Sequence, residues 1–202
     1  MKYLSIDLET AGLDPKSCQI LEFGAVLDDT NWWTGEKRVA VDSLPYFHAY
    51  IVSEDGMYHG QPYALWLNAE IFKKISNASK EAVKGNLFLY PKRLGLAFKN
   101  WLRDDHGITG KINVAGKNFA SFDQKFLEEL PDWSVEFASR VLDPAAYYFD
   151  PSKDERLPDT KTCLERAGIN HPVAHTAIED AKDVIRLIRV ALKYGKRERF
   201  EV

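Results

Sequence analysis

Apolar residues come in short dense runs through the first quarter of the chain, as strands require, and farther on they recur three and four apart, as helices require. Tyr3 to Thr10 reads as a buried strand, and the turn-rich loop Thr10 to Pro15 leads to a second strand, Gln19 to Leu27. Asp28 to Asn31 is a turn. Arg38 to Val41 and Tyr46 to Val52 read as a third strand interrupted near Pro45, so the chain as far as Val52 predicts an antiparallel meander. Helices follow. Pro62 to Ile75 carries Leu65, Ala69, Phe72 and Ile75 at helical spacing, and Pro91 to Asp105 carries Leu94, Phe98, Trp101 and Leu102 before Gly107. A short strand, Lys111 to Gly116, runs into a helix that opens with Ser121 and Gln124 at capping-box spacing. Arg140 to Asp143 is the last strand, Asp159 caps a helix through Ala167 that Gly168 closes, and a final helix spans Thr176 to Tyr194 ahead of Gly195. A meander followed by alternating helices and strands predicts a single α/β domain over residues 1–202, built on a mixed sheet.

Candidate chemistry sits at three places on that pattern. In the first strand Asp7 and Glu9 are two apart and point to the same face. Unit charges ~4 Å apart repel by about 4 kcal/mol at an effective dielectric near 20. The acids are therefore either solvated at a strand end or held around a cation. Mg²⁺ or Mn²⁺ fits the second reading, because carboxylates suit those ions and no Cys or His cluster accompanies the pair.

Near the other end, Thr176 and Glu179 have capping-box spacing, which places His175 and Asp180 at the two positions that normally meet as a hydrophobic staple. An imidazole and a carboxylate there either serve something beyond the helix or mark a solvated helix start. Helical geometry puts Asp180 on the face of Val184, Leu187 and Ala191, pointing inward, and sets Lys182, Arg186, Arg189 and Lys193 opposite as a solvated outer face. The third place is Asp123, one turn into a helix that follows a strand. Ligands gather at that position in α/β proteins, although a first-turn acid also compensates the helix dipole.

Composition narrows the class. Hydrophobic residues are 45% and charged residues 28% of the chain, values of an ordinary soluble domain. No apolar run approaches the roughly 18 residues of a membrane span, and Met1-Lys2-Tyr3 enters a strand without a signal-peptide pattern, so a cytoplasmic protein with no membrane partner is expected. Cys18 and Cys163 lack metal-type spacing and read as inert reduced thiols. A net charge of −3 argues against gripping long duplex by charge, but not against handling a single phosphodiester through metal ions.

Taken together, Asp7-Leu8-Glu9-Thr10, then Asn118-Phe119-Ala120-Ser121-Phe122-Asp123 with Phe126-Leu127, then His175-Thr176-Ala177-Ile178-Glu179-Asp180-Ala181 resemble the three exonuclease motifs of the DEDDh family. The stretches from Phe47 to Ile51 and from His59 to Asn68 are similar to bacterial and phage members, with His48 and His59 reading as structural. The resemblance implies a ribonuclease-H-like fold with a five-stranded mixed sheet flanked by helices. It implies 3′→5′ hydrolysis of single-stranded DNA or RNA ends to nucleoside 5′-monophosphates with two Mg²⁺ or Mn²⁺ ions. By the same likeness Asp7 would bridge the ions, Glu9 and Asp180 would complete the shell of one, Asp123 would act through coordinated water, and His175 would be the general base. Thr10, Leu13 and Phe119 would bind substrate, with Leu13 wedged beside the terminal base and Phe119 stacked near it. Position 176 is Thr, where the Tyr subclass would carry its tyrosine. A binding module without hydrolysis and an endonuclease on the same fold are the rival readings.

Overall fold

The strand that carries Asp7 and Glu9 lies in the middle of the sheet. β1 (Lys2–Thr10) alternates: Leu4, Ile6 and Leu8 face one layer, and Tyr3, Ser5, Asp7 and Glu9 face the other. The computed structural model describes residues 1–34 and 39–194. β2 (Ile20–Asp29) runs antiparallel to β1, and its register sets Gly24 opposite Asp7 and Glu22 opposite Glu9. A single turn, α1 (Asn31–Thr34), precedes β3 (Tyr46–Ile51), which is antiparallel to β2. Three short helices follow, α2 (Pro62–Leu67), α3 (Ala69–Ser76) and α4 (Ala78–Val83), and then β4 (Phe88–Leu89). α5 (Pro91–Asn100) continues as a π-helical turn, Trp101–Asp105, into β5 (Ile112–Ala115), which lies parallel to β1. α6 (Asp123–Glu128), β6 (Phe137–Leu142), α7 (Thr160–Arg166) and α8 (Ala177–Tyr194) complete the described chain. The sheet of the described residues has six strands in the order β4-β3-β2-β1-β5-β6.

Each face of the sheet has its own core. On one, α5 sets Leu94 and Phe98 against Phe23 and Phe47, with the Phe23 and Phe98 rings 4.9 Å apart edge to face. Such a pair adds about 0.5–1.5 kcal/mol to what burial alone supplies. On the other, α8 lays Ala181, Val184, Ile185 and Ile188 on Tyr3, Val26 and Ala115. Burying one aliphatic side chain of this kind contributes roughly 1.5–3 kcal/mol, so α8 is held on the face that Asp7 and Glu9 share.

Several sequence expectations change. The five strands become six because β4 is only two residues long, too short to show alternation, and it exists through its pairing of Phe88 and Leu89 with Tyr50 and Ile51. Val41–Ser43 is a turn of 3-10 helix and not strand, while Asp28 and Asp29 extend β2 where a turn is expected. Arg38 and Gly195 lie outside the described residues. The helix expected from Pro62 to Ile75 breaks at Asn68, whose buried side-chain amide turns to donate to the Thr10 carbonyl at 3.1 Å. Ser121 does not cap α6: its hydroxyl donates to the Asn118 carbonyl, and the helix starts at Asp123 itself. The outer face of α8 is not simply solvated. Lys182 pairs with Glu179, Arg186 with Asp42 and Asp183, and Arg189 with the buried Asp28, while the side chain of Lys193 lies outside the described part. Among the described residues no helix is long and apolar enough to cross a membrane.

Candidate active site

Strand alternation and the packing of α8 bring three carboxylates to one point. Asp7, Glu9 and Asp180 each offer an oxygen within 4.8 Å of the others. Asp123 stands beside them as the first residue of α6, buried, with Oδ1 accepting the Leu8 amide N–H at 3.1 Å, so it is tied to the β1 backbone between Asp7 and Glu9.

Two tight approaches make the convergence possible. A Cβ on Gly24 would come within 2.5 Å of the Ala177 carbonyl carbon, so only glycine lets the first turn of α8 lie on β2 opposite Asp7. A Cβ on Gly60 would meet the Ala11 carbonyl oxygen at 2.2 Å, and the Gln61 N–H donates to that same oxygen at 2.7 Å. The loop after Glu9 is thereby clamped by the segment before α2.

The charge state of the cluster follows from crowding and burial. Burial, reinforced by the charges of Asp123, Asp180, Glu9 and Glu22, holds the Asp7 carboxyl well above the usual carboxylate range. Burial and the neighbouring Asp180 and Glu22 push Glu9 to about 8, and burial raises Asp123 to about 7 against the pull of its backbone hydrogen bonds. Asp180 rises to about 6, chiefly through burial, with the nearby His175 opposing the shift. Its Oδ1 is buried without a hydrogen-bond partner. Mutually repelling oxygens around one point, one of them unpartnered, fit a hard divalent cation held by oxygen ligands.

His175 is exposed in the turn before α8, where its backbone is left-handed with φ of 51°. Asn118, in the loop before Asp123, is also left-handed, with φ of 58°, and its N–H donates to Asp143 Oδ2 at 3.1 Å. His175 and Asp180 both line a cleft of about 670 Å³ with Lys117, Lys161 and His171. The expected capping box at this helix is replaced: Glu179 takes the Lys182 ammonium at 2.6 Å, and the Ala177 N–H donates to Glu22.

The substrate-side residues fare differently. Leu13 is 71% exposed on the loop, and Thr10 is buried with its hydroxyl donating to the Gly12 carbonyl at 2.7 Å. Phe119 is 1% exposed, its ring edge-on to Phe137 in the core. The ring that the resemblance sets near the terminal base is thus buried in this structure. Glu22 is the residue that sequence reasoning passed over. It is 1% exposed and joins the Ala177 N–H at 3.3 Å to the His48 Nε2 at 2.5 Å, tying α8, β2 and β3 together behind the cluster. Its signal is present in the sequence as a lone acid inside the apolar run Ile20 to Leu27.

No protein-family model matches the sequence, and no curated protein matches it. Solved structures do. The nuclease domain of 3′hExo, a DEDDh family member, bound to rAMP aligns with a TM-score of 0.62 at 16% identity over 98% of this chain and 94% of that one. The zinc-bound complex of E. coli ExoI with single-stranded DNA aligns at 0.65, with 18% identity over 97% of this chain. Exonuclease I from Methylocaldum szegediense gives 0.59 at 15% identity. The chain spans 41% of the length of each of those two exonuclease chains. A six-stranded mixed sheet flanked by helices and superposable on these structures means that the chain has the ribonuclease-H-like fold of Exonuclease I and of the 3′hExo nuclease domain.

Proposed function

We propose that residues 1–202 form a single metal-dependent 3′→5′ exonuclease domain that hydrolyses single-stranded nucleic acid to nucleoside 5′-monophosphates. The observation that carries the reading is the convergence of Asp7, Glu9 and Asp180 within 4.8 Å, with Asp123 pinned beside them. These four carboxylates would hold two Mg²⁺ or Mn²⁺ ions. Bound there, such ions neutralise charge developing on the phosphodiester and favour the ionised form of water. The chain's own part is orientation and proton transfer. His175, on the rim of the cleft next to Asp180, takes the proton of the attacking water, as an imidazole can near neutral pH. Lys117 and Lys161 on the same cleft attract the phosphate that the acids would otherwise repel. Leu13, exposed after Thr10, lies against the terminal base. The neighbours of the same fold support the reading, since ExoI binds single-stranded DNA and the 3′hExo nuclease domain binds rAMP in their structures.

A time course on 5′-labelled single-stranded DNA and RNA oligonucleotides with Mn²⁺ tests it. The expected result is a ladder shortening from the 3′ end, mononucleotide products, and no cleavage in excess chelator. Mid-length fragments without a ladder would make the chain an endonuclease, binding without cleavage would make it a binding module, and full activity in chelator would remove the metals from the mechanism.

A further inference from the structure

We infer that His171 and Asp183 form a latch that holds the segment carrying His175 against the start of α8, which makes His171 a positioning residue for the proposed base. The two halves of the latch come from different elements. Asp183 stands one turn along α8 from Asp180, with its side chain 1% exposed. His171 is on the loop before the helix, its side chain 38% exposed, and its Nε2 lies 3.2 Å from Asp183 Oδ1. The Nδ1 of the same ring is 3.1 Å from the Pro172 carbonyl oxygen, so both ring nitrogens face acceptors and the orientation of the ring is set. His171, His175 and Asp180 all line one cleft.

The backbone of His175 needs such a hold. It is left-handed, with φ of 51°, a conformation that persists only where the surroundings over-determine it. After His175 the chain is fastened at once, by the Ala177 N–H on Glu22 and the Asp180 N–H on the Thr176 carbonyl. Before it, Val173 packs on the cluster of Leu164 and Leu187, an apolar contact without direction, and His171 supplies the polar one. Asp183 needs the latch as well. It is a buried carboxylate whose Oδ2 has no hydrogen-bond partner among the described residues, so the groups on Oδ1 must compensate its charge. Arg186 reaches that oxygen at 2.6 Å but shares its guanidinium with Asp42, also at 2.6 Å, and His171 completes the pairing. A buried acid of the helix thereby holds a loop four residues ahead of the base of the proposed reaction, the reading on which this inference rests.

Hydrolysis of a single-stranded oligonucleotide with Mn²⁺, under conditions where chemistry limits the rate, tests the latch in His171→Ala, His171→Phe and His171→Gln. It is read together with NMR relaxation of the Val173, Ala174 and His175 backbone amides. Losing the donor in the first two variants should lower kcat by about ten- to hundredfold, with KM and Mn²⁺ affinity close to wild type. Gln, whose amide reaches about as far as Nε2, should keep most of kcat. Added to His175→Ala, His171→Ala should cost nothing more, because a positioning residue then has nothing to position. Amide order parameters of about 0.85 in wild type and His171→Gln should fall toward about 0.6 in His171→Ala and His171→Phe. A kcat within about twofold of wild type in His171→Ala overturns the latch. So do losses that multiply in the double variant, and so does a raised KM at unchanged kcat, which would make His171 a substrate contact. If the wild type cleaves nothing, the exonuclease reading falls and the amides decide alone. Loosening in His171→Ala but not in His171→Gln keeps the latch, and unchanged order parameters in His171→Ala remove it with or without activity.

Discussion

At the scale of single residues, the roles proposed for His175 and Asp180 differ with where their backbones sit. Asp180 is inside the first turn of α8, its N–H bonded to the Thr176 carbonyl, whereas His175 lies outside that turn in a left-handed conformation that a residue with a Cβ adopts only at a cost. Strain kept at a cleft fits a group that must aim its ring. His175→Ala should lower turnover by on the order of 10² to 10⁴ and leave Mn²⁺ affinity by calorimetry nearly unchanged. His175→Gln should not rescue it, because an amide can hold a water but cannot take its proton. Loss of Mn²⁺ binding in His175→Ala, or turnover within about twofold of wild type when chemistry is rate-limiting, would contradict the base role.

Among the elements, α8 decides whether there is a site at all, and β2 decides where α8 starts. Gly24 gives the helix its approach, and Glu22 receives the Ala177 N–H that the helix start leaves open. Gly24→Ala forces a methyl against the Ala177 and Ile178 backbone, a change that costs about 1–3 kcal/mol in a well-packed core. The shift moves Asp180 away from Asp7 and Glu9. A lowered melting temperature together with a weaker Mn²⁺ isotherm is the expected pair of results, and a variant that melts lower but binds Mn²⁺ as wild type would show that α8 does not position the cluster.

On the proposed reading, the whole molecule couples folding to protons and metal. Glu9 moves from an ordinary 4.5 to about 8, Asp123 from 3.8 to about 7, and Asp180 from 3.8 to about 6. Across roughly pH 4 to 8 the folded, metal-free protein holds protons that the unfolded chain has released, so its stability falls as pH rises through that window. A divalent cation bound at the cluster would take the place of those protons, and its stabilisation should therefore grow with pH. Thermal melts with Mn²⁺ and with chelator should diverge more at about pH 8 than at about pH 6, with proton release on binding at the lower pH. A chelated protein whose melting temperature climbs steadily over the same range would remove the cluster from the argument.

The sequence by itself determined the strand that presents Asp7 and Glu9, the helix that begins with Asp180 facing inward, and the order of sheet and helices, because alternation and helical spacing are local properties that need only neighbouring residues. Asp159 as the cap of α7, accepting the Thr162 N–H at 2.7 Å, was legible for the same reason. Tertiary structure alone decided what depends on pairing between distant segments. The two-residue β4 exists through β3, the break at Asn68 exists because Thr10 needs a donor, and Glu22 joins the site only through the register that sets it opposite Glu9. The burial of Phe119 belongs to this group as well, since an aromatic residue in a motif looks the same in sequence whether its ring meets a base or the edge of Phe137. Where a side chain's partner is far along the chain, its role is fixed by the register and packing that bring the two together, and local pattern carries no record of either.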